Sequence, residues 1–444
     1  MKFTFDEIVK ATDAKILHCQ NNKGRYSVST DSRSAHFENI YLPLKGEKFD
    51  GHSFIQNAIQ NGVKAYFTSD KTLVFSDIDC VLYVEDTLEA YLKLASFYKS
   101  KVNPKTIAIT GSSGKTTTKE MMASVANKGF RMHKSILNHN NEVGLCQTML
   151  AMPENTEVLV VEMGMRGQGE IELLSKYAQP DIAIIANTGT AHIGRLGSVE
   201  NIAKAKCEIT KFLNKNGTLL AHDTELIRKT NDFVGETMYL GLQAKELTDI
   251  VLNTNSSEFT YKNQRYKINV EGEHNIQNAL FAINAGLLLG MTSEDIAKGL
   301  DDYKPIEKRW EISDIKGFRV INDSYNSNPE SLKAAVSTFL ATQKAPRLLV
   351  LGDMGELGKD EVLYHEQIGE FLNAFDDVQL IAVGDLAKSF LTKLTSAQKT
   401  TAIHFEDNKK VANFILENIS EGTTILFKAS RFMKFEEIIK ELER

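Results

Sequence analysis

A glycine-bearing turn between a predicted strand and a predicted helix holds the residues with the most specific chemistry in this sequence. Residues 106–120 read TIAITGSSGKTTTKE, so an apolar strand runs into Gly111, Gly114, Lys115 and Thr116. In such a turn, backbone N–H groups wrap phosphates, the lysine reaches the terminal phosphates and the hydroxyl binds magnesium. The helix that follows adds the positive end of its dipole. The spacing is GxxGKT, shorter than the usual GxxxxGK[ST], and it predicts a nucleotide site without defining the reaction.

Two metal-ligand residue types follow predicted strands in the same part of the chain. VLVVEMG ends a strand at Glu162, and IIANTGTAHIG places His192 a few residues beyond the next strand. The carboxyl ends of strands border the ligand crevice of an open α/β sheet, so we expect both side chains near the phosphates held by Lys115. Magnesium beside ATP prefers oxygen ligands, here Thr116 and Glu162, and His192 is expected to hold a second ion. Taken alone, Glu162 is better explained by a helix cap or a surface charge, and His192 is explained equally well as a structural histidine.

The elements that position these residues alternate between strands and helices. The apolar runs TIAIT, VLVVEMG, DIAIIANT and GTLLAH, separated by helical stretches, indicate a mainly parallel sheet. A small α/β unit precedes Pro104, a residue that disfavours helix continuation, and the rhythm restarts after about residue 310. We therefore predict an α/β protein of three domains: a small N-terminal α/β domain at 1–101, a central phosphate-loop domain at 102–310 and a Rossmann-like domain at 311–444.

Composition excludes several classes of protein. The chain has 444 residues, which suits about three domains at roughly 150 residues each. Its net charge is -6 with lysines interspersed among acids, so there is no basic stripe for nucleic acid. The sequence contains neither a signal peptide nor a long apolar run, and we expect a cytoplasmic monomer without membrane insertion. The cysteines are scattered without CxxC spacing and are predicted to be reduced thiols: Cys19, Cys80, Cys146 and Cys207.

Taken together, these motifs resemble the Mur ligase family, the ATP-dependent amide-forming enzymes of peptidoglycan precursor synthesis. The order, spacing and number of the matching segments carry the resemblance, and they cover most of the chain. The segments are STDSR, LKGEKFDGHSFI, TGSSGKTTTKEMM, NHNNEVG, VEMGMRGQGEI, NTGTAHIGRLGSVENIAKAKCEI, GEHNIQNALFAINAG, KRWE, NDSYNSNPESLKAA, LGDMGELG, YHEQIG and FKASRFM.

The resemblance implies a role for individual residues. It implies phosphate binding by Gly111, Ser112, Ser113, Gly114, Lys115, Thr116 and Thr117. It implies an adenine pocket lined by Asn275 and Asn278, and contacts of Arg309 and Asp323 with the γ-phosphate and the ribose. It implies metal ligation by Thr116, Glu162 and His192, and catalytic roles for Lys115, His192 and Lys206. Lys206 would be carbamylated by carbon dioxide, although its helix alone indicates a solvated face. It implies substrate contacts by Ser32, Arg33, Lys45, Gly46, Asn138, Asn140 and Asn141.

The resemblance further implies the substrates UDP-MurNAc-tripeptide and D-alanyl-D-alanine, with ATP and Mg²⁺, and an acyl-phosphate intermediate. The sibling ligase that adds the third peptide residue is the alternative. That enzyme typically carries an Asp-Asn-Pro-Arg box where this chain reads LGDMGELG. A folate polyglutamylating enzyme and a nucleotide-driven switch protein are more distant alternatives. Whether the third residue of the tripeptide is diaminopimelate or lysine stays open. The chain departs from the family at KASRFM, where Ala429 and Phe432 replace glycines.

Overall fold

The structure is a computed structural model that describes residues 1–46, 49–75, 78–136, 138–306, 308–375, 378–399 and 401–444. Glu47 and Lys48 of the KGEKFDGH segment lie outside the described residues. The chain divides into two compact units. The first unit comprises Met1–Ile107, Arg131–Met163 and Leu173–Pro180; the second comprises Ala108–Phe130, Gly164–Glu172 and Asp181–Arg444. The three predicted domain boundaries stay predictions.

Strands and helices alternate along much of the chain, as the sequence predicted. The strands are β1 Phe3–Thr4, β2 Lys15–Cys19, β3 Arg25–Ser29, β4 Asn39–Tyr41, β5 Ala65–Thr68, β6 Cys80–Tyr83, β7 Lys105–Thr110, β8 Met132–Lys134, β9 Val158–Glu162, β10 Ile182–Ile185, β11 Thr218–His222, β12 Glu236–Leu240, β13 Leu247–Asn253, β14 Ser256–Tyr261, β15 Gln264–Ile268, β16 Glu311–Ile315, β17 Phe318–Asn322, β18 Arg347–Gly352, β19 Gln379–Val383, β20 Ala402–Phe405 and β21 Thr424–Lys428. The helices are α1 Phe5–Thr12, α2 Ile55–Gln60, α3 Thr87–Val102, α4 Lys115–Ala126, α5 Glu142–Ala151, α6 Glu170–Ala178, α7 Ile193–Leu196, α8 Val199–Cys207, α9 Glu225–Thr230, α10 Glu273–Leu288, α11 Ser293–Asp301, α12 Pro329–Thr342, α13 Glu361–Leu372, α14 Ser396–Lys399, α15 Val411–Asn418 and α16 Glu436–Glu443.

The first unit contains a mixed sheet in the order β1-β3-β4-β5-β6-β2. Strands β3 to β6 pair in parallel, while β1 and β2 join the edges antiparallel. The runs AYFT and CVLY are almost entirely buried, which fits strands covered on both faces. Tyr41, Ile55 and Tyr66 belong to the core beneath them. Strands β8 and β9, also in this unit, pair in parallel and bring Glu162 to a strand end.

One cysteine prediction is wrong. Cys19 and Cys80 lie directly opposite each other on β2 and β6 and form a disulfide. Their sequence separation of 61 residues gave no sign of this pairing, because it arises from the register of two antiparallel strands. Cys146 and Cys207 are free and buried, in agreement with the prediction.

The second unit contains the parallel strands β10, β11 and β12. The end of β7 joins them, since the Thr110 carbonyl accepts a hydrogen bond from the Ala186 N–H at 2.8 Å. An antiparallel meander of β13, β14 and β15 follows, which the sequence analysis did not predict. Helix α10 then packs against α4, and its residues 275–286 are buried on every side.

The last part of the second unit is a six-stranded sheet in the order β16-β17-β21-β18-β19-β20. All neighbouring pairs are parallel except β16 with β17. Helix α12 begins at a capping box formed by Asn328 and Ser331, with Pro329 as its first residue. The structure confirms the α/β class with several parallel sheets. Among the described residues, no helix combines the length and apolarity needed to cross a bilayer.

Candidate active site

The phosphate turn has the predicted strand–turn–helix context. Strand β7 ends at Thr110 and α4 begins at Lys115, with Gly114 as the residue before the helix. Gly114 has φ 75°, which favours glycine, and a Cβ atom there would lie 2.6 Å from Asn278 Oδ1. The Lys115 Nζ atom donates to the Gly111 carbonyl at 2.7 Å. Thr116 is buried, so its side chain does not lie on a solvated helix face.

Asn187 supports this turn and was missed by the sequence analysis. Its Oδ1 atom accepts the Ser113 backbone N–H at 2.9 Å. Nearby, the Gly189 N–H donates to the Ser112 hydroxyl at 2.9 Å. The segment after β10 therefore braces the turn from one side. The sequence did offer one sign of this role. Asn187 directly follows an apolar strand, and the carboxyl ends of strands form the edge of an α/β sheet where ligands bind.

The two asparagines predicted for the adenine pocket are buried at the start of α10. Asn278 accepts a hydrogen bond from the Thr118 hydroxyl at 3.2 Å and donates to Asn275 Oδ1 at 3.3 Å. Asn275 in turn donates to the Glu271 carbonyl at 2.7 Å. These contacts place both residues beside the beginning of α4. Their role towards adenine stays a prediction.

Lys206 is buried on α8, with only 1% of its surface exposed. The solvated helix face suggested by the residues alone is therefore wrong. Burial, with a further contribution from the charge of Lys115, lowers the pKa of Lys206 well below its ordinary value. The structure thus holds a buried amine near Lys115, the lysine predicted to bind phosphate.

His192 lies beyond the end of β10, as predicted, and has a partner from a distant part of the chain. Its Nδ1 atom is 2.6 Å from the Glu356 carboxylate. The close contact with His192 lowers the pKa of Glu356 below its ordinary value. The Gly194 N–H also donates to the Glu356 carbonyl at 3.1 Å. The LGDMGELG segment therefore reaches His192, which no local sequence pattern indicated.

Asp323 is held by Lys428 within the second unit. The Lys428 Nζ atom donates to the Asp323 carboxylate at 2.7 Å and to the Asn326 carbonyl at 3.1 Å. Lys428 is buried. The substitution at Ala429 therefore leaves a well-anchored lysine at the end of β21. Burial lowers the pKa of the nearby His274 to about 4, against an opposing effect of Asp323 and with a further lowering by Lys428.

Arg309 has the surroundings of an anion-binding residue. Its guanidinium lies over the Tyr325 ring, 4.1 Å from the ring centre. Its Nε atom is buried and makes no hydrogen bond within the part of the chain that the structure describes. A buried donor without a partner is costly unless a ligand satisfies it, so this arrangement fits a phosphate oxygen.

In the first unit, Glu162 is joined to the asparagine segment predicted to contact substrate. Glu162 is 4% exposed, and its carboxylate accepts the Asn140 side-chain amide at 3.0 Å. Asn141 caps α5 by accepting the Gly144 N–H at 2.9 Å. Asn138 is exposed beside them. The structure thus groups a predicted metal ligand with predicted substrate residues.

The STDSR segment forms a tight local arrangement. Arg33 binds Asp31 through two nitrogen atoms, at 2.9 and 2.8 Å. These bonds lower the pKa of the exposed Asp31 to about 2. Ser32 is buried, and its carbonyl accepts the Asn61 amide at 2.8 Å.

A polar cleft of about 570 Å³ opens in the first unit near Lys45. His52 lies in it with Nδ1 2.7 Å from Asp50, and its Nε2 atom accepts the Ser69 backbone N–H at 3.0 Å. The lining residues are Lys45, Asp50, His52, Ser69, Asp70, Lys71, Leu73 and Tyr83. Of the predicted first-domain substrate residues, Lys45 lies in this lining, whereas Ser32, Arg33 and Gly46 do not.

The structure brings together part of the predicted constellation. Lys115, Lys206 and Asn278 lie close to one another in the second unit, and Glu162 lies with Asn140 in the first. Convergence of Glu162 with Thr116 and His192 stays a prediction. Among the described residues, no group of three or more His, Cys, Asp or Glu side chains is arranged to hold a metal ion by itself.

The chain belongs to the Mur ligase family. Three family models match it: "Mur ligase family, catalytic domain" over residues 26–99, "Mur ligase middle domain" over 109–286, and "Mur ligase, glutamate ligase domain" over 308–431. UDP-N-acetylmuramoyl-tripeptide--D-alanyl-D-alanine ligase of Bacillus subtilis is 39% identical over 425 residues, covering 94% of this chain and 93% of that protein.

Two solved structures are similar over nearly the whole chain. MurF from Acinetobacter baumannii has a TM-score of 0.92 and 30% identity, covering 100% of this chain and 99% of that one. MurF ligase from Thermotoga maritima, in complex with ADP, has a TM-score of 0.84 and 27% identity, covering 94% and 97%. Fold and sequence similarity thus agree on the same member of the family.

Proposed function

We propose that this chain is an ATP-dependent ligase that joins D-alanyl-D-alanine to UDP-MurNAc-tripeptide. The products are UDP-MurNAc-pentapeptide, ADP and phosphate. The observation that carries the proposal is the match to UDP-N-acetylmuramoyl-tripeptide--D-alanyl-D-alanine ligases along almost the entire chain, with the phosphate turn intact within it. The cytoplasmic location and the monomeric state expected from the sequence are part of this proposal.

The chemistry follows from the low reactivity of a carboxylate. At neutral pH the carboxylate is anionic and has no good leaving group, so amines do not attack it. Transfer of the γ-phosphoryl group of ATP to the tripeptide carboxylate gives an acyl phosphate, and the dipeptide amine then attacks its carbonyl and expels phosphate. Lys115 would neutralise charge on the transferring group, and the unpaired Nε–H of Arg309 would bind one of its oxygens.

The donor set fits magnesium. Thr116 and Glu162 offer a buried hydroxyl and a buried carboxylate, the oxygen ligands that this hard cation prefers. His192, held by Glu356, is the proposed ligand of a second ion. When bound, the ions would neutralise charge on the phosphates and on the transferring group.

Burial of Lys206 supports its proposed carbamylation. Burial lowers the pKa of Lys206, which favours the neutral amine, and only the neutral amine has the lone pair that carbamylation needs. The nitrogen attacks carbon dioxide, a C–N bond forms and one proton is released. The resulting carbamate is an anion beside Lys115, and the attraction between the two offsets part of the burial penalty.

The cleft in the first unit is the proposed site for the UDP end of the substrate. Lys45 and Lys71 supply positive charge for the diphosphate, and Tyr83 supplies a flat apolar surface. The Lys71 Nζ atom lies 4.8 Å from the centre of the Tyr83 ring.

A phosphate-release assay tests the proposed function. We expect release only when ATP, a UDP-MurNAc-tripeptide and D-alanyl-D-alanine are all present. Running the assay separately with the lysine and the diaminopimelate tripeptide decides which third residue the enzyme accepts. Release with UDP-MurNAc-dipeptide and a single lysine or diaminopimelate would instead identify the sibling ligase. ATP hydrolysis indifferent to both acceptor and amine would identify a nucleotide-driven switch.

A further inference from the structure

Two segments of the second unit that are far apart in sequence are in direct backbone contact. The 353–358 turn lies between β18 and α13, and the 189–194 segment follows β10. The Gly194 N–H donates to the Glu356 carbonyl at 3.1 Å, and a Cβ atom on Gly194 would lie 2.6 Å from the Gly358 nitrogen. Only glycine therefore permits this approach.

Both segments hold a non-glycine residue in the left-handed region at the point of contact. His192 has φ 68° and Glu356 has φ 64°. Such residues are uncommon, and the surrounding contacts must hold them in place. In this conformation the Glu356 carboxylate lies 2.6 Å from His192 Nδ1. The side chains are 48% and 22% exposed respectively, so a ligand can approach the pair.

A second carboxylate holds the same segment. Glu330, in the first turn of α12, accepts the Thr190 backbone N–H at 3.1 Å and the Thr190 hydroxyl at 3.0 Å. Thr190 is two residues before His192. Two carboxylates of the C-terminal region, those of Glu330 and Glu356, thus contact the 189–194 segment, in addition to the backbone carbonyl of Glu356.

The 353–358 turn is itself anchored on its own side. The Gly355 N–H donates to the Ser430 hydroxyl at 2.8 Å, and the Met354 N–H donates to His365 Nε2 at 2.9 Å. His365 is fully buried. The C-terminal region therefore sets the position of the Glu356 carboxylate, because the turn has little freedom of its own.

We propose that Glu356 is a positioning residue, whose carboxylate fixes the His192 imidazole through Nδ1 and leaves Nε2 as the ring nitrogen that binds a metal ion. Metal-ligating histidines commonly donate their other ring nitrogen to a carboxylate in this way. Because Glu356 comes from the C-terminal region, docking of the 353–358 turn couples that region to the metal site. This inference rests on the proposed function, which makes His192 a metal ligand.

Manganese binding tests the inference without measuring ligase activity. Mn²⁺ is titrated into the full-length protein saturated with ADP, and free Mn²⁺ is measured by its electron paramagnetic resonance signal. We expect E356Q, which preserves the shape of the side chain and removes its charge, to weaken the binding of one Mn²⁺ ion by about 10–100-fold. H192A is expected to weaken the binding of the same ion. The double variant is expected to lose no more Mn²⁺ affinity than H192A alone. The control is E370Q, an exposed carboxylate on α13, and it is expected to bind Mn²⁺ like the wild type.

Each outcome decides a different statement. If H192A weakens Mn²⁺ binding and E356Q does not, the inference is overturned while the proposed function stands. If the two losses multiply in the double variant, Glu356 acts independently of His192 and the inference is also overturned. If H192A binds both ions normally, His192 is not a metal ligand and the inference fails with that assignment. The phosphate-release assay then decides separately whether the chain is a ligase.

Discussion

Replacement of Glu271 by glutamine is expected to destabilise the second unit strongly. Glu271 is completely buried between β15 and α10. Its Oε1 atom accepts the Asn255 N–H at 2.6 Å and the Gln343 amide at 3.0 Å. Its Oε2 atom accepts the Gln343 amide at 3.0 Å, the Trp310 indole N–H at 3.2 Å and the Thr342 hydroxyl at 2.7 Å. One carboxylate therefore ties together a turn of the meander, the segment before β16 and the end of α12.

The magnitude follows from what glutamine presents to these donors. The glutamine amide has one oxygen and one NH₂ group in place of two oxygens. In either orientation of the amide, its NH₂ group faces N–H groups that can only donate. At the Oε1 position these are the groups of Asn255 and Gln343; at the Oε2 position they are those of Trp310 and Gln343. Each buried donor left unsatisfied costs about 1–3 kcal/mol. We therefore expect E271Q to lower the free energy of unfolding by roughly 2–5 kcal/mol.

Urea unfolding followed by tryptophan fluorescence measures this effect. The chain has a single tryptophan, Trp310, and it contacts Glu271, so the signal comes from the perturbed site. E273Q is the matched control. Glu273 is exposed and lies two residues from Glu271, and its replacement by glutamine removes the same charge. Its expected effect is within about 0.5 kcal/mol. Equal urea midpoints for E271Q and E273Q would refute the reasoning.

Three further predictions concern buried groups near the proposed site. The pKa of His274 is about 4 in the folded protein against an ordinary 6.5, so the unfolded chain binds the extra proton between these values. Stability should therefore fall by up to about 3 kcal/mol as pH drops from 6.5 towards 4, and H274N should lose this part of the slope in unfolding curves taken at several pH values. K206A should lower kcat by about 100-fold and recover partly with short-chain carboxylic acids, which replace the carbamate. K428M should weaken ATP binding by about 10–100-fold in calorimetric titrations, because Asp323 loses the charged partner that orients it.

Separate results would contradict these three predictions. For His274, the contradiction is an identical pH slope in wild type and H274N. For Lys206, it is full activity of K206A without any added acid. For Lys428, it is an unchanged ATP affinity, judged against K440M, which removes an exposed lysine from α16.

Local patterns in the sequence determined the fold class and the phosphate turn. Apolar runs such as VLVVE predicted β9, and the glycine turn before Lys115 predicted the junction of β7 with α4. Asn328 as the cap and Pro329 as the first helical residue are local signals of the start of α12 as well. These features depend on residues within a few positions of one another, because strand periodicity, glycine conformation and helix capping are local effects.

Only the tertiary structure decided which distant side chains meet. The contact of Glu356 with His192 spans the chain from the end of β10 to the turn after β18, and it depends on two glycines, Gly194 and Gly358, that let two backbones touch. The burial of Lys206, which reversed the expectation from its helix, depends in the same way on what packs around it. Residue type and spacing do not indicate such partners, because these contacts depend on the path of the whole chain and on side-chain packing.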